Sequence, residues 1–153
     1  MLGKGAMAKV YLGYYRAGEN DKNTMFAVKE ISINSSSIAA DALLQEINLL
    51  RKITHPYILK YIDAKKSPNS LFLFIEYCNK GTLEDFILEH KEGLPDEIIR
   101  RFIAQIIIAL KFLKDRNIIH RDIKPKNILI HDDGIKISDF GVAKIINNHN
   151  SDQ

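Results

Sequence analysis

Between Tyr77 and Gly81 the apolar residues stop recurring every second position, as on strands, and begin to recur at helical spacing. This change of period constrains the fold more than any other feature of the sequence. Before it, residues 10–17 and 24–33 are rich in β-branched and aromatic side chains and predict strands, with a hairpin turn over 18–23. Residues 34–37 are a polar break. A helix is predicted over 38–52, where Leu43, Ile47 and Leu50 recur at helical spacing. His55-Pro56 ends it, because the residue before a proline is pushed out of the helical region. Residues 58–63 and 71–77 predict two short strands joined by the turn at 67–70.

After the change, residues 82–90 predict a short helix with Thr82 as its cap and Glu84 and Asp85 in its first turn. Pro95 opens a long helix running to about Arg116. Its stripe of Ile98, Phe102, Ile106, Leu110 and Leu113 is widened by Ile99, Ile103 and Ile107. A stripe that wide implies burial against more than one neighbour. Two strand-like runs follow, 127–130 and 135–138, joined by a turn at 131–134. The polar tail 147–153 predicts disorder. The expected class is therefore α+β. A small sheet-rich lobe with one helix spans 1–77, and a helical lobe begins at 78 and runs to 153.

Composition removes several function classes. A net charge of +3 gives no concentrated basic surface for nucleic acid. One cysteine, Cys78, allows no internal disulfide and suits a reducing, cytoplasmic setting. The N-terminus has no apolar run of signal-peptide type. The longest apolar stretch, 98–113, is broken by Arg100, Arg101, Gln105 and Lys111, so no membrane span is expected.

Three segments carry chemistry. Gly3, Gly5 and Ala8 lie in a short loop that runs into strand rather than helix. Glycines there allow a backbone to approach a phosphate closely, although a plain turn uses the same residues. Lys29 interrupts an apolar strand. It either faces solvent by alternation or faces inward, where it needs anionic partners such as Glu46 or phosphate oxygens. The strongest signal is 120–127, His-Arg-Asp-Ile-Lys-Pro-Lys-Asn. It supplies a base (Asp122), a cation (Lys124) and a metal-capable amide (Asn127) on a segment that Pro125 keeps from being helical. Apolar runs on both sides pin this segment to a core. Asp139-Phe140-Gly141 then adds a second carboxylate. Asn127 and Asp139 together suit Mg²⁺, which takes a few protein oxygens plus substrate phosphate.

Taken together, these parts resemble the eukaryotic protein kinases, in the family's order and spacing: glycine-rich loop, strand lysine, His-Arg-Asp loop with its asparagine, and Asp-Phe-Gly. The resemblance runs from Leu2 to about Lys144. It implies a two-lobed fold and Mg²⁺-dependent transfer of a phosphoryl group from ATP to Ser or Thr of protein substrates. By position it implies that Gly3 and Gly5 cover the phosphates. Leu2, Val10, Ala27 and Leu129 would sandwich adenine, behind which Ile75 would be the gatekeeper. Glu76 and Cys78 would form the hinge that hydrogen-bonds the base. Lys29 would hold phosphates and pair with Glu46. Asp122 would accept the substrate proton, Lys124 would neutralise the γ-phosphate, and Asn127 and Asp139 would bind Mg²⁺. Leu50, Tyr61, His120 and Phe140 would stack as a spine. Lys124 is the mark of serine/threonine kinases, and Arg121 marks kinases whose activation loop is phosphorylated. The wording of the glycine loop and of 71–81 resembles the autophagy-initiating branch.

Two departures bear on that expectation. Ala8 stands where the family has its third glycine. No Ala-Pro-Glu motif follows Gly141, so the chain is expected to lack most of an activation loop and the later large-lobe helices. The outer part of the 98–113 stripe would then be bare and open to a partner. The expectations are therefore two: a protein serine/threonine kinase with regulatory partners, or an inactive kinase fragment that at most binds ATP or serves as an interaction module.

Overall fold

The computed structural model describes residues 3–4, 8–15, 24–33, 47, 51–132, 134–140 and 144–145, without the side chains of 3, 4, 8, 144 and 145. The chain divides into two compact units. One comprises Met1–Thr54 with Lys60–Tyr77, the other His55–Leu59 with Cys78–Gln153.

The first unit is an antiparallel sheet of β1 (Gly3–Lys4), β2 (Ala8–Tyr15), β3 (Thr24–Ser32), β4 (Tyr61–Lys66) and β5 (Ser70–Glu76). Their order across the sheet is β1-β2-β3-β5-β4. Strict alternation along β5 buries Leu71, Leu73 and Ile75 on one face. The register sets Ala27 opposite Ile75 and Lys29 opposite Leu73. On the other face, the Tyr11 hydroxyl and the Ser70 hydroxyl both donate to the Glu30 carboxylate, at 3.2 and 3.0 Å. Gly13 leaves room for the Phe26 ring, which a Cβ there would meet at 2.5 Å unless the ring shifted. Of the helix expected over 38–52, only Ile47, helical and buried, and residues 51 and 52 lie among the described residues.

The strand expected over 58–63 begins instead at Tyr61. Ile58 and Leu59 are adjacent, and both are buried. A strand with one buried face can bury only one of two neighbours, so they serve the other unit's core. There Ile58 bridges Ile137, the Leu59 N–H donates to the Ile137 carbonyl, and the Ile137 N–H donates to the Tyr57 carbonyl.

The second unit contains α1 (Leu83–Glu89), α2 (Asp96–Lys114), β6 (Ile118–Ile119), a 3₁₀ turn over Pro125–Asn127, β7 (Ile128–His131), β8 (Gly134–Ile137) and β9 (Lys144–Ile145). α1 begins with a capping box in which Thr82 and Asp85 satisfy each other's backbone N–H groups. α2 starts just after Pro95 and ends two residues before Arg116. Its inward face buries Phe102, Ala109 and Leu113. The Gln105 side chain accepts from the Ile135 N–H at 3.0 Å, tying the helix to β8. The stripe is narrower than expected. Ile99, Ile103 and Ile107 are 39, 51 and 60% exposed, because no described element covers that side of α2. Leu110, expected inside, is 36% exposed. β6 pairs with β9, and β7 with β8. Among the described residues no helix is long and apolar enough to cross a membrane.

Candidate active site

The segment between β6 and β7 carries the charged residues, and its anchors are buried. His120 is 3% exposed and stacks edge-on against Phe140, ring centroids 4.6 Å apart. Its Nε2 donates to the Ser138 carbonyl at 2.8 Å, and its Nδ1 accepts the Asp122 N–H at 3.3 Å. A carbonyl can only accept and a backbone N–H can only donate, so these partners select the tautomer with hydrogen on Nε2. One imidazole thus fixes both Ser138 and the backbone of Asp122.

Asn127 is the second anchor, 7% exposed. Its Nδ2 donates to the Asp122 carbonyl at 2.9 Å and to Asp122 Oδ2 at 2.8 Å. Its own carbonyl accepts from the Ser138 N–H at 2.8 Å and from the Ser138 hydroxyl at 3.0 Å. With the amide nitrogen committed to Asp122, the remaining polar atom of the side chain is Oδ1, an acceptor. An amide oxygen fits a hard cation such as Mg²⁺, which binds proteins through few oxygens and does not require a cage. Among the described residues no cluster of three or more His, Cys, Asp or Glu forms such a cage.

Lys124 Nζ lies 2.8 Å from Asp122 Oδ2, and both side chains are partly exposed. The hydrogen bond from Lys124 is the main reason the Asp122 carboxyl lies below the usual carboxylate range. Partial desolvation opposes the shift, and the Asn127 amide adds to it. Asp122 is therefore an ionised acceptor at neutral pH, held from two directions with its outer surface open. Lys126 reaches Glu84 of α1 at 3.4 Å. Arg121 and Asp139 have positive φ, 69° and 60°. Left-handed backbone at a residue with a side chain costs energy that the surrounding structure must supply. Both outliers adjoin His120 or Ser138, the residues most firmly tied down.

The second unit thus brings together Asp122, Lys124 and Asn127, with Asp139 next to Ser138 on the chain. Leu129 is half-buried on β7 and bridges Thr82, while the Ile130 N–H donates to the Gly81 carbonyl. Cys78 is half-buried. In the first unit, cross-strand register puts Val10, Ala27, Lys29 and Ile75 on one face of the sheet. Ala27 and Ile75 are buried there, and Lys29 is half-buried on the apolar side. The Glu76 carboxylate accepts from the Lys60 N–H at 3.2 Å. Gly3 is described by its backbone, which pairs with Val10. Leu2, Gly5, Glu46 and Leu50 lie outside the described residues. Sequence reasoning missed Ser138, which holds Asn127 by two hydrogen bonds. Its only signal was a small polar residue ending an apolar strand beside Asp139.

The family model described as protein kinase domain matches residues 1–153. The chain is 42% identical to mitogen-activated protein kinase kinase kinase 1a of Physcomitrium patens, over 94% of this chain and 19% of that protein. It is 37% identical to serine/threonine-protein kinase ATG1b of Arabidopsis thaliana, over 94% of this chain and 20% of that protein. It is 35% identical to serine/threonine-protein kinase ULK3 of Xenopus laevis, over 99% of this chain and 32% of that protein. The chain therefore spans about a fifth to a third of the length of these curated relatives.

Proposed function

This chain belongs to the protein kinase domain family, and from that membership we propose that it transfers the γ-phosphoryl group of ATP to serine or threonine hydroxyls of a protein substrate. The observation that carries the proposal is the Asp122 carboxylate, held by Lys124 and Asn127 at 2.8 Å each. In this reading Asp122 Oδ accepts the hydroxyl proton as the oxygen attacks phosphorus and the bond to the leaving diphosphate breaks. Its carboxyl is ionised at neutral pH, as a proton acceptor must be. Lys124 swings from Asp122 towards the γ-phosphate and spreads its developing charge. Asn127 Oδ1 and the Asp139 carboxylate would hold magnesium, which would supply positive charge against the phosphate oxygens. By family position, Lys29 with Glu46 would hold the α- and β-phosphates, and Gly3 and Gly5 would cover them. Leu2, Val10, Ala27, Ile75 and Leu129 would, by family position, enclose the base, and Glu76 and Cys78 would bond its edge.

Residues 1–54 with 60–77 serve as the nucleotide lobe, and residues 55–59 with those from 78 onward as the helical lobe that presents the loop. The similarities cover relatives of both kinase kinase kinase and ATG1/ULK naming, so they favour no single branch. The exposed outer row of α2 favours a second reading, in which the chain binds nucleotide and acts chiefly as an interaction module.

Transfer from labelled ATP to a serine-containing peptide separates these readings. The chain is expected to turn over. Asp122→Asn should lose about 10²- to 10⁴-fold, the usual share of a general base, with its melting temperature unchanged. Equal rates for the two proteins would sink the proposal. Stabilisation by Mg-ATP of about 2.7 kcal/mol at a hundredfold excess over Kd, without turnover, would establish the binding reading instead.

A further inference from the structure

From Ile58 to Lys60 each backbone N–H has a partner, and the last of the three differs in kind. The Ile58 N–H donates to the His55 carbonyl and the Leu59 N–H to the Ile137 carbonyl, at 3.2 and 2.9 Å. The Lys60 N–H donates to a side chain, the Glu76 carboxylate, at 3.2 Å.

The register of the sheet shows what that side chain replaces. Tyr61 stands opposite Ile75, so Lys60 continues the ladder opposite Glu76. A hydrogen-bonded pair in an antiparallel ladder exchanges two N–H···O=C bonds. The first is present: the Glu76 N–H donates to the Lys60 carbonyl at 2.9 Å. The return bond of a regular ladder would run from the Lys60 N–H to the Glu76 backbone carbonyl. It goes to the Glu76 carboxylate instead, and β4 begins one residue later, at Tyr61. An ionised carboxylate is a stronger acceptor for a backbone N–H than a neutral carbonyl. The side chain thus closes the end of the ladder in place of its own main chain.

We propose that the Glu76 side chain is a positioning residue for nucleotide selection: by taking the Lys60 N–H, it keeps the Glu76 carbonyl out of the ladder and turns it to the 6-amino group of adenine. This rests on the reading of Glu76 as bonding the edge of the base, and gives its side chain a part in that bond. A carbonyl can only accept, so the bond requires a base with a donor at that place.

Isothermal titration of the 153-residue chain with Mg-ATP, and with the magnesium salt of purine riboside triphosphate, which lacks the 6-amino group, tests it. The unaltered chain should bind ATP more tightly than the analogue. Glu76→Ala should weaken ATP by about three- to tenfold, the share of one hydrogen bond, and leave the analogue within about twofold, so that the preference disappears. Glu76→Gln keeps an oxygen at the same reach and should restore the preference. Glu76→Asp falls one methylene short and should match Glu76→Ala, which keeps the test decisive if the alanine variant fails to fold. Equal weakening of both nucleotides overturns the proposal, because the side chain would then only hold the sheet together. An ATP preference untouched by Glu76→Ala and Glu76→Asp overturns it alone and leaves the reading of the site standing. An unaltered chain that binds both nucleotides equally well overturns it too. If that chain binds neither, the reading of the site fails and this inference falls with it.

Discussion

The loop around Asp122 and the outer face of α2 lie in the same unit and follow opposite rules. The loop is polar and closed: His120 and Asn127 are almost fully buried, with both ring nitrogens of one and the amide nitrogen of the other bonded. The helix face is apolar and open, with isoleucines 39 to 60% exposed. Hydropathy alone would have reversed them. A polar side chain can be buried when its hydrogen bonds are complete, whereas an apolar one is buried only if something is there to cover it.

If that contrast is real, substitutions in the two regions should differ in cost. The largest effect falls on Asn127→Ala. It removes both bonds to Asp122, and thermal or urea unfolding should show a loss of about 1–3 kcal/mol. A loss within error would mean the loop is held by something other than this amide. Ser138→Ala takes one of the two donors from the Asn127 carbonyl and leaves the other. Its expected cost is about 0.5–1.5 kcal/mol, read from the same unfolding curves. A cost equal to that of Asn127→Ala would mean the hydroxyl, and not the backbone, carries the joint. Smallest of all should be Ile108→Gln, on the outer side of α2 at 49% exposure. A change within about 0.5 kcal/mol is expected. A core-sized loss would show that this side is covered after all.

Much of this arrangement was legible. The cap at Thr82, the start of α2 at Pro95 and the alternation along β5 are local signals, and each produced its element within a residue or two. Acid, lysine and asparagine within six residues marked the loop because the turn that gathers them is itself local, closed by the Asn127 N–H on the Lys124 carbonyl. What could not be read depends on distant partners. Nothing around Ile118 announces that it pairs with Ile145, and nothing around His120 announces its bond to Ser138. The breadth of the α2 stripe was plain, but whether neighbours exist to cover it is a property of the rest of the molecule. Ile58 and Leu59 misled for the same reason, since two adjacent apolar residues fit a strand until the second core claims both.

That detour of the backbone sets how the chain may be divided. Five residues, His55–Leu59, are inserted between two stretches of the first unit and complete the second. A cut after Tyr77 would carry off the imidazole that rests on Phe112, ring centroids 4.5 Å apart, and the partners of Ile137. The two units are interleaved in sequence, so neither can be expressed, exchanged or lost in evolution as a contiguous block without leaving a hole in the other.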